Sequence, residues 1–227
     1  MLYKKNNKDV FQHEHIIFGS DYIIKKLYKS EHFYIDGTFI YPSDFKQMIV
    51  ILYFDNEKRK RFPGLFALMN NKKEEGYFYL FTRINNILTI ESSKELSLKS
   101  YSVDFEIGLI NSLKRVFPKV KIIGCFFHYT RALRSKANEF KLLKEDTKNI
   151  TNQLLNLLYT APFLFRKDKN YINSICEKYS QNYKFLDMFI NYFKSQWIKY
   201  FINGMLDYRL IRNLKEAIVI SKIIIGE

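Results

Sequence analysis

The stretch His32-Phe33-Tyr34-Ile35-Asp36-Gly37-Thr38-Phe39-Ile40 sets a carboxylate in the middle of an apolar, aromatic-rich run. Read as a strand, Phe33, Ile35, Gly37 and Phe39 point one way, and Tyr34, Asp36, Thr38 and Ile40 the other. A charged side chain inside a strand is costly unless it is paired, hydrogen-bonded or bound to metal. Gly37 lets another group approach the backbone closely. The same residues also read as an edge-strand Asp facing water, or as an Asp-Gly turn. The stretch alone leaves these readings open.

Working outward, 1–14 is a polar lead-in and 16–28 has helical spacing, with Ser20 or Asp21 able to cap it. After the Asp36 strand, 47–54 (QMIVILYF) is a strand too apolar to carry a wet face. Asp55-Asn56-Glu57 and the run Lys58-Arg59-Lys60-Arg61 close a hairpin into a third strand, 62–69. Pro63-Gly64 near the start of that strand allows a bulge or an edge. A Tyr- and Phe-rich helix over 74–88 leads to a short strand over 97–104. Phe105, Leu109, Ile110, Leu113, Val116 and Phe117 then form a helical stripe that Pro118 stops. Another strand (120–127) runs into a helix from His128 that carries Arg131, Arg134, Lys136 and Lys141. Helices are predicted over 151–159, 169–179 and 183–200, with a last one over 209–225.

A three-strand antiparallel meander plus two crossover strands gives an α/β fold with a five-stranded mixed sheet flanked by helices. The order is ribonuclease-H-like with a late all-helical insertion. The expected organisation is a lead-in over 1–14, a core over 15–145, the insertion over 146–202, and a final core helix over 203–227. Fold order by itself gives no function.

Composition narrows the classes. The chain has 227 residues, 47% of them hydrophobic, enough for one large domain or a core with an insertion. Lys and Arg number 37 against 23 acids, a formal charge of +14, which suits a polyanionic partner such as nucleic acid or reflects a solvated Lys-rich surface. Two cysteines, Cys125 and Cys176, are too few for a disulfide framework and fit a reducing compartment. No stretch approaches the ~20 apolar residues of a membrane span. There is no Cys-x-x-Cys pair, so no separate zinc module is visible.

Asp36 in the first strand of the meander and Asp104 at the end of the fourth strand are the candidate acids. In a mixed sheet these strands are expected to be neighbours, and carboxyl ends of strands are where sites form. Carboxylates meeting there repel unless cations bind, and two hard divalent cations are the arrangement of nucleases and polymerases. Asp104 also reads as a helix N-cap before Phe105.

The motifs become specific in combination. They are Ile16-Ile17-Phe18, Phe33-Tyr34-Ile35-Asp36-Gly37-Thr38-Phe39, Phe62-Pro63-Gly64-Leu65-Phe66-Ala67-Leu68 with Asn71-Lys72 and Tyr77, Val103-Asp104-Phe105-Glu106 with Val116-Phe117-Pro118, and Gly124-Cys125-Phe126-Phe127-His128 with Ala132-Leu133. In this order, from residue 15 to about 165, they resemble the Mutator-like element (MULE) transposase domain, a DDE transposase of ribonuclease-H-like fold. The resemblance implies Asp36 and Asp104 as the first two members of an Asp-Asp-Glu triad that holds two Mg²⁺ or Mn²⁺ ions. It implies Cys125-x-x-His128 as the motif between the second and third acids. That pair alone cannot fill a tetrahedral zinc site, and the basic helix after it suggests a place near DNA phosphate, with Arg131, Arg134 and Lys136 as contacts. A core Cys with a hydrogen-bonded His is the structural alternative.

The resemblance implies Glu216 as the third acid, since Arg212-Asn213-Leu214-Lys215-Glu216 keeps Asn-x-x-Glu of the family pattern and follows Trp197, Phe201 and Tyr208; the same residue also reads as a solvated helix position. Glu177 is the alternative. The resemblance further implies a nuclear protein that assembles as a homo-oligomer on DNA. The altered third-acid pattern, and the lack of room before residue 15 for a zinc-binding recognition module, suggest a fragment, a decayed copy or a domesticated core. A ribonuclease-H-like nuclease without strand transfer shares the same cleavage chemistry.

Overall fold

The structure is a computed structural model that describes residues 2–3, 15–38, 45–55, 57–90, 96–163 and 169–208. The chain divides into two compact units, Met1–Ile122 and Ile123–Glu227.

The first unit is built on β1 (Leu2–Tyr3), β2 (His15–Phe18), α1 (Asp21–Lys29), β3 (His32–Thr38), β4 (Gln47–Asp55), β5 (Lys60–Met69), α2 (Glu74–Ile90), β6 (Ser100–Val103) and α3 (Ile107–Val116). The chain leaves it within β7 (Lys121–Gly124). Among the described residues the sheet has seven strands in the order β1-β2-β5-β4-β3-β6-β7. The meander β3-β4-β5 is antiparallel and β6 runs parallel to β3. The α/β class therefore holds, and the five expected strands are joined by two more, β1 and β2.

The extra strands correct the expected start of the first helix. Ile16, Ile17 and Phe18 lie in β2, paired with Leu68, Ala67 and Phe66 of β5. Two β-branched residues and a Phe suit the pleated surface of a sheet edge, and that pairing overrides their helical spacing. The helix begins only at Asp21, where the Ser20 hydroxyl accepts the Ile23 N–H at 3.3 Å. Two residues of the polar stretch 1–14, Leu2 and Tyr3, pair with β2.

β4 runs through the middle of the sheet. Gln47, Ile49, Ile51, Tyr53 and Asp55 are buried on one face, and Met48, Val50, Leu52 and Phe54 are partly covered on the other. No residue of the strand is fully exposed, as its near-continuous apolar run requires. At its end the Asp55 carboxylate accepts the Glu57 and Lys58 N–H groups at 3.0 Å each and closes the hairpin. Gly64 is the extra residue of the β4–β5 ladder, because Ile51 pairs with Leu65 and Leu52 with Pro63. A Cβ at Gly64 would stand 2.8 Å from the Ile51 carbonyl oxygen, so only glycine fits this bulge.

The second unit is helical. α4 (Phe126–Glu139), α5 (Glu145–Thr160), α6 (Lys169–Asn182) and α7 (Asp187–Ile202) enclose Tyr129, Leu133, Leu154, Leu158, Phe189, Phe193 and Trp197. The buried Tyr129 hydroxyl donates to the Leu158 carbonyl at 2.8 Å, and its ring meets Trp197 edge-on at 5.0 Å. The expected final helix over 209–225 lies outside the described residues.

Parallel pairing of β3 with β6 begins at His32 and Ser100. The His32 Nδ1 pairs with the Ser100 hydroxyl, and burial with the nearby Arg61 charge holds the imidazole down at about 4. The unfolded chain takes up this proton near the ordinary value of ~6.5, so the neutral ring contributes stability above that pH. The contribution, on the order of 3 kcal/mol, is expected to be lost as pH falls towards about 4. Urea unfolding between pH 7 and 4 should show this loss, and His32→Gln should flatten it.

Candidate active site

β3 places its side chains by simple alternation. Phe33 and Ile35 are buried on one face, while Asp36 and Thr38 are exposed on the other. β6 runs alongside with its buried Tyr101 ring edge-on to Phe33 at 6.0 Å. The registered pairs are His32 with Ser100, Phe33 with Tyr101, and Tyr34 with Ser102. The last registered pair, Tyr34 with Ser102, stands two residues before Asp36 on one strand and two before Asp104 on the other. Asp36 lies two residues before the end of β3 and Asp104 directly follows β6, so both lie towards the carboxyl ends of adjacent parallel strands, where sites form in such sheets.

Asp104 lies in the turn between β6 and α3 and is half-buried. One of its oxygens, Oδ1, accepts the Glu106 N–H at 3.1 Å. The N-cap of α3 is Glu106 and not Asp104, so the helix opens at Ile107, two residues later than the apolar stripe suggests. The short turn holds the Asp104 carboxylate by the backbone.

A buried polar chain ties this turn to the meander. Gln47 Nε2 donates to the Tyr77 hydroxyl at 2.6 Å, and that hydroxyl donates to Glu106 Oε1 at 2.9 Å. Gln47 and Tyr77 are buried, at 1% and 0% exposure. Burial pushes the Glu106 carboxyl up, the Tyr77 hydroxyl draws it back down, and the neighbouring Asp104 charge raises it further. On β3, Gly37 lies beside this amide, and a Cβ there would stand in ordinary contact with Gln47 Nε2 at 3.4 Å. Sequence reading gave Gln47, Tyr77 and Glu106 no role in the site. Gln47 did carry a signal, as the polar residue at a buried position of an otherwise apolar strand.

Among the described residues, no group of three or more His, Cys, Asp or Glu side chains is placed to hold a metal ion. Asp36 and Asp104 are hard oxygen donors of the type Mg²⁺ takes, and as a pair they require a further donor to complete a site. Glu216 lies outside the described residues. Glu177 is exposed on α6 of the second unit.

In the second unit, Cys125 is the N-cap of α4 and His128 lies one turn on, on the same side of the helix. Both are partly buried, and the His128 ring meets Phe127 edge-on at 5.7 Å. Gly124 is clamped from the far end of the unit: its N–H donates to the Met205 carbonyl at 2.8 Å, and its carbonyl accepts the Tyr208 hydroxyl at 2.5 Å. The Tyr208 ring packs edge-on against Phe126 at 5.5 Å.

Residues 32–132 match the family model of the MULE transposase domain. Over those residues the chain is similar to a MULE transposase domain. The match spans the β3–β6 pair with both acids, Cys125, His128 and Arg131. No curated protein matches the chain.

The three basic residues expected on the helix of the MULE motif separate on α4. Arg131 and Arg134 are exposed on one stripe. Lys136 points elsewhere: its ammonium bonds Glu139 at 2.7 Å and lies over the Phe140 and Tyr192 rings.

The polar chain makes a test available. Tyr77→Phe removes the acceptor of a buried Gln47 amide and is expected to cost about 1–3 kcal/mol in chemical denaturation. Adding Gln47→Leu should recover part of that loss, since an unpaired buried amide is then no longer present.

Proposed function

We propose that this chain is the catalytic core of a DDE-type DNA transposase of ribonuclease-H-like fold, acting by metal-dependent cleavage and strand transfer. The observation that carries the reading is the parallel pairing of β3 with β6, whose register ends at Tyr34 and Ser102, two residues before Asp36 and Asp104. The MULE match over that pair supports it, as does the charge of +14 for a DNA partner.

In this reading Asp36 and Asp104, with Glu216 as third acid, hold two Mg²⁺ or Mn²⁺ ions. When bound, such ions supply activation of the attacking oxygen and stabilisation of the leaving oxygen. Asp104 is pre-set by the Glu106 N–H, and the turn that carries it is braced through Glu106, Tyr77 and Gln47. Water attacks the phosphorus, the bond to the 3′ oxygen breaks, and a 3′-hydroxyl and a 5′-phosphate result. The freed 3′-hydroxyl then attacks a phosphodiester of target DNA, with no covalent enzyme intermediate. Arg131 and Arg134 hold backbone phosphates, which position DNA without reading sequence. Assembly of copies on DNA, in the nucleus, belongs to the same proposal.

A second reading, a non-catalytic DNA-binding domain derived from a transposase, is favoured by one observation. The third-acid pattern is reduced to Asn213-x-x-Glu216.

Mn²⁺ titration calorimetry and nicking of supercoiled plasmid separate the two. Binding by the wild-type chain at millimolar Mn²⁺ is expected. Asp36→Asn and Asp104→Asn should each weaken that binding tenfold or more and abolish nicking with circular dichroism unchanged. Undiminished nicking by Asp36→Asn would remove that residue from the mechanism. A wild-type chain that binds no Mn²⁺ supports the second reading.

A further inference from the structure

On the exposed side of α4, Phe127, Arg131, Arg134 and Asn138 follow one another at helical spacing and face Lys148 of α5 across a pocket of about 560 Å³. That volume is within the ~300–1,000 Å³ of small-ligand sites. Three cations line it and no acid does. Among the described residues none of these cations pairs with a carboxylate, in contrast to Lys136 with Glu139 on the same helix. Gathering three positive charges without counter-charge is unfavourable unless an anion offsets it. Phe127 is 39% exposed, a large aromatic left at the pocket rim. The Arg131 guanidinium lies 5.9 Å from its ring centroid. Arg134 stands beside the Tyr159 hydroxyl and holds it lower than burial alone would.

Cations and an accessible ring in one concavity match a ligand that is anionic at one end and flat at the other. We propose that this pocket takes one unpaired nucleotide of a DNA strand, its phosphates on Arg131, Arg134 and Lys148 and its base against the Phe127 ring. Guanidinium forks suit phosphate oxygens. An aromatic rim suits a single strand and not a duplex, whose base faces are already stacked. Ser135 and Asn138 on the pocket wall can hydrogen-bond base or sugar edges. Lys148 sits on a different helix from the two arginines, so the site exists only when α4 and α5 are packed together. The inference rests on the DNA-binding reading above and specifies the form of DNA held by α4.

The test uses the full chain, a labelled oligothymidine of about twelve nucleotides, and fluorescence anisotropy in EDTA. EDTA makes the outcome independent of the acids. The double variant Arg131→Ala/Lys148→Ala is expected to bind at least tenfold more weakly. Its plot of log affinity against log salt should be shallower by about 1.4, two phosphates at ~0.7 each. Phe127→Leu should bind the single strand about fivefold or more weakly with the salt slope kept, because stacking is lost and charge is not. The same variant should bind a duplex of equal length within about twofold of wild type. Lys178→Ala, an exposed cation on α6, serves as the control and should match wild type. The proposal is overturned if the pocket variants stay within twofold of wild type on the single strand, or if poly-glutamate displaces the strand as well as unlabelled oligothymidine does. A chain that nicks DNA yet shows neither variant effect keeps the catalytic reading and loses this pocket. A chain that binds no Mn²⁺ yet shows both effects does the reverse.

Discussion

Parallel pairing of β3 with β6 is the constraint from which the rest of the first unit follows. Two parallel strands cannot be joined by a tight turn, so the chain must travel away and return. Here it makes two further strands and a helix before β6 comes back beside β3. The pairing is held by main-chain hydrogen bonds, by the buried Phe33 and Tyr101 rings, and by the His32–Ser100 contact at its start. Since successive side chains in a strand alternate faces, burying Phe33 and Ile35 turns Asp36 to the other side. A slip of one residue would bury the carboxylate and expose the core, so the register is defended by the whole apolar face.

The polar chain from Gln47 through Tyr77 to Glu106 links three separate elements: the central strand, the long helix and the turn after β6. Such chains stabilise only when every member is satisfied, and here each bond points to a partner that is itself fixed. The Asp104 turn is therefore braced by the scaffold and does not depend on its own few residues for its position.

α4 divides its labour by face. Phe126, Tyr129, Leu133 and Ala137 are buried in the second unit, and Phe127, Arg131 and Arg134 remain outside. The buried face fixes the helix through Leu158 and Trp197, which makes the exposed face a rigid platform. The clamp of Met205 and Tyr208 on Gly124 fastens the start of the same helix. Lys136 is drawn onto Tyr192 and Phe140 and leaves the basic stripe to the two arginines and Lys148.

The amino-acid sequence by itself determined the local layer of this protein: the alternation that turns Asp36 away from the core, the apolar run of β4, the bulge at Gly64, the stripe of α3 and the helices of the second unit. These follow from backbone periods of 2 and 3.6 residues, which any short window displays. Tertiary structure alone decided that Ile16–Phe18 is a strand, because an open edge of β5 competed with local helical spacing and won. It alone decided that β3 and β6, the strands that lead to Asp36 and Asp104, are parallel neighbours, that Glu106 leans on Tyr77, and that Lys148 joins Arg131 and Arg134 while Lys136 does not. Each of these is a meeting of residues distant in sequence. Periodicity records which face a side chain takes, and only the packed chain determines what that face meets.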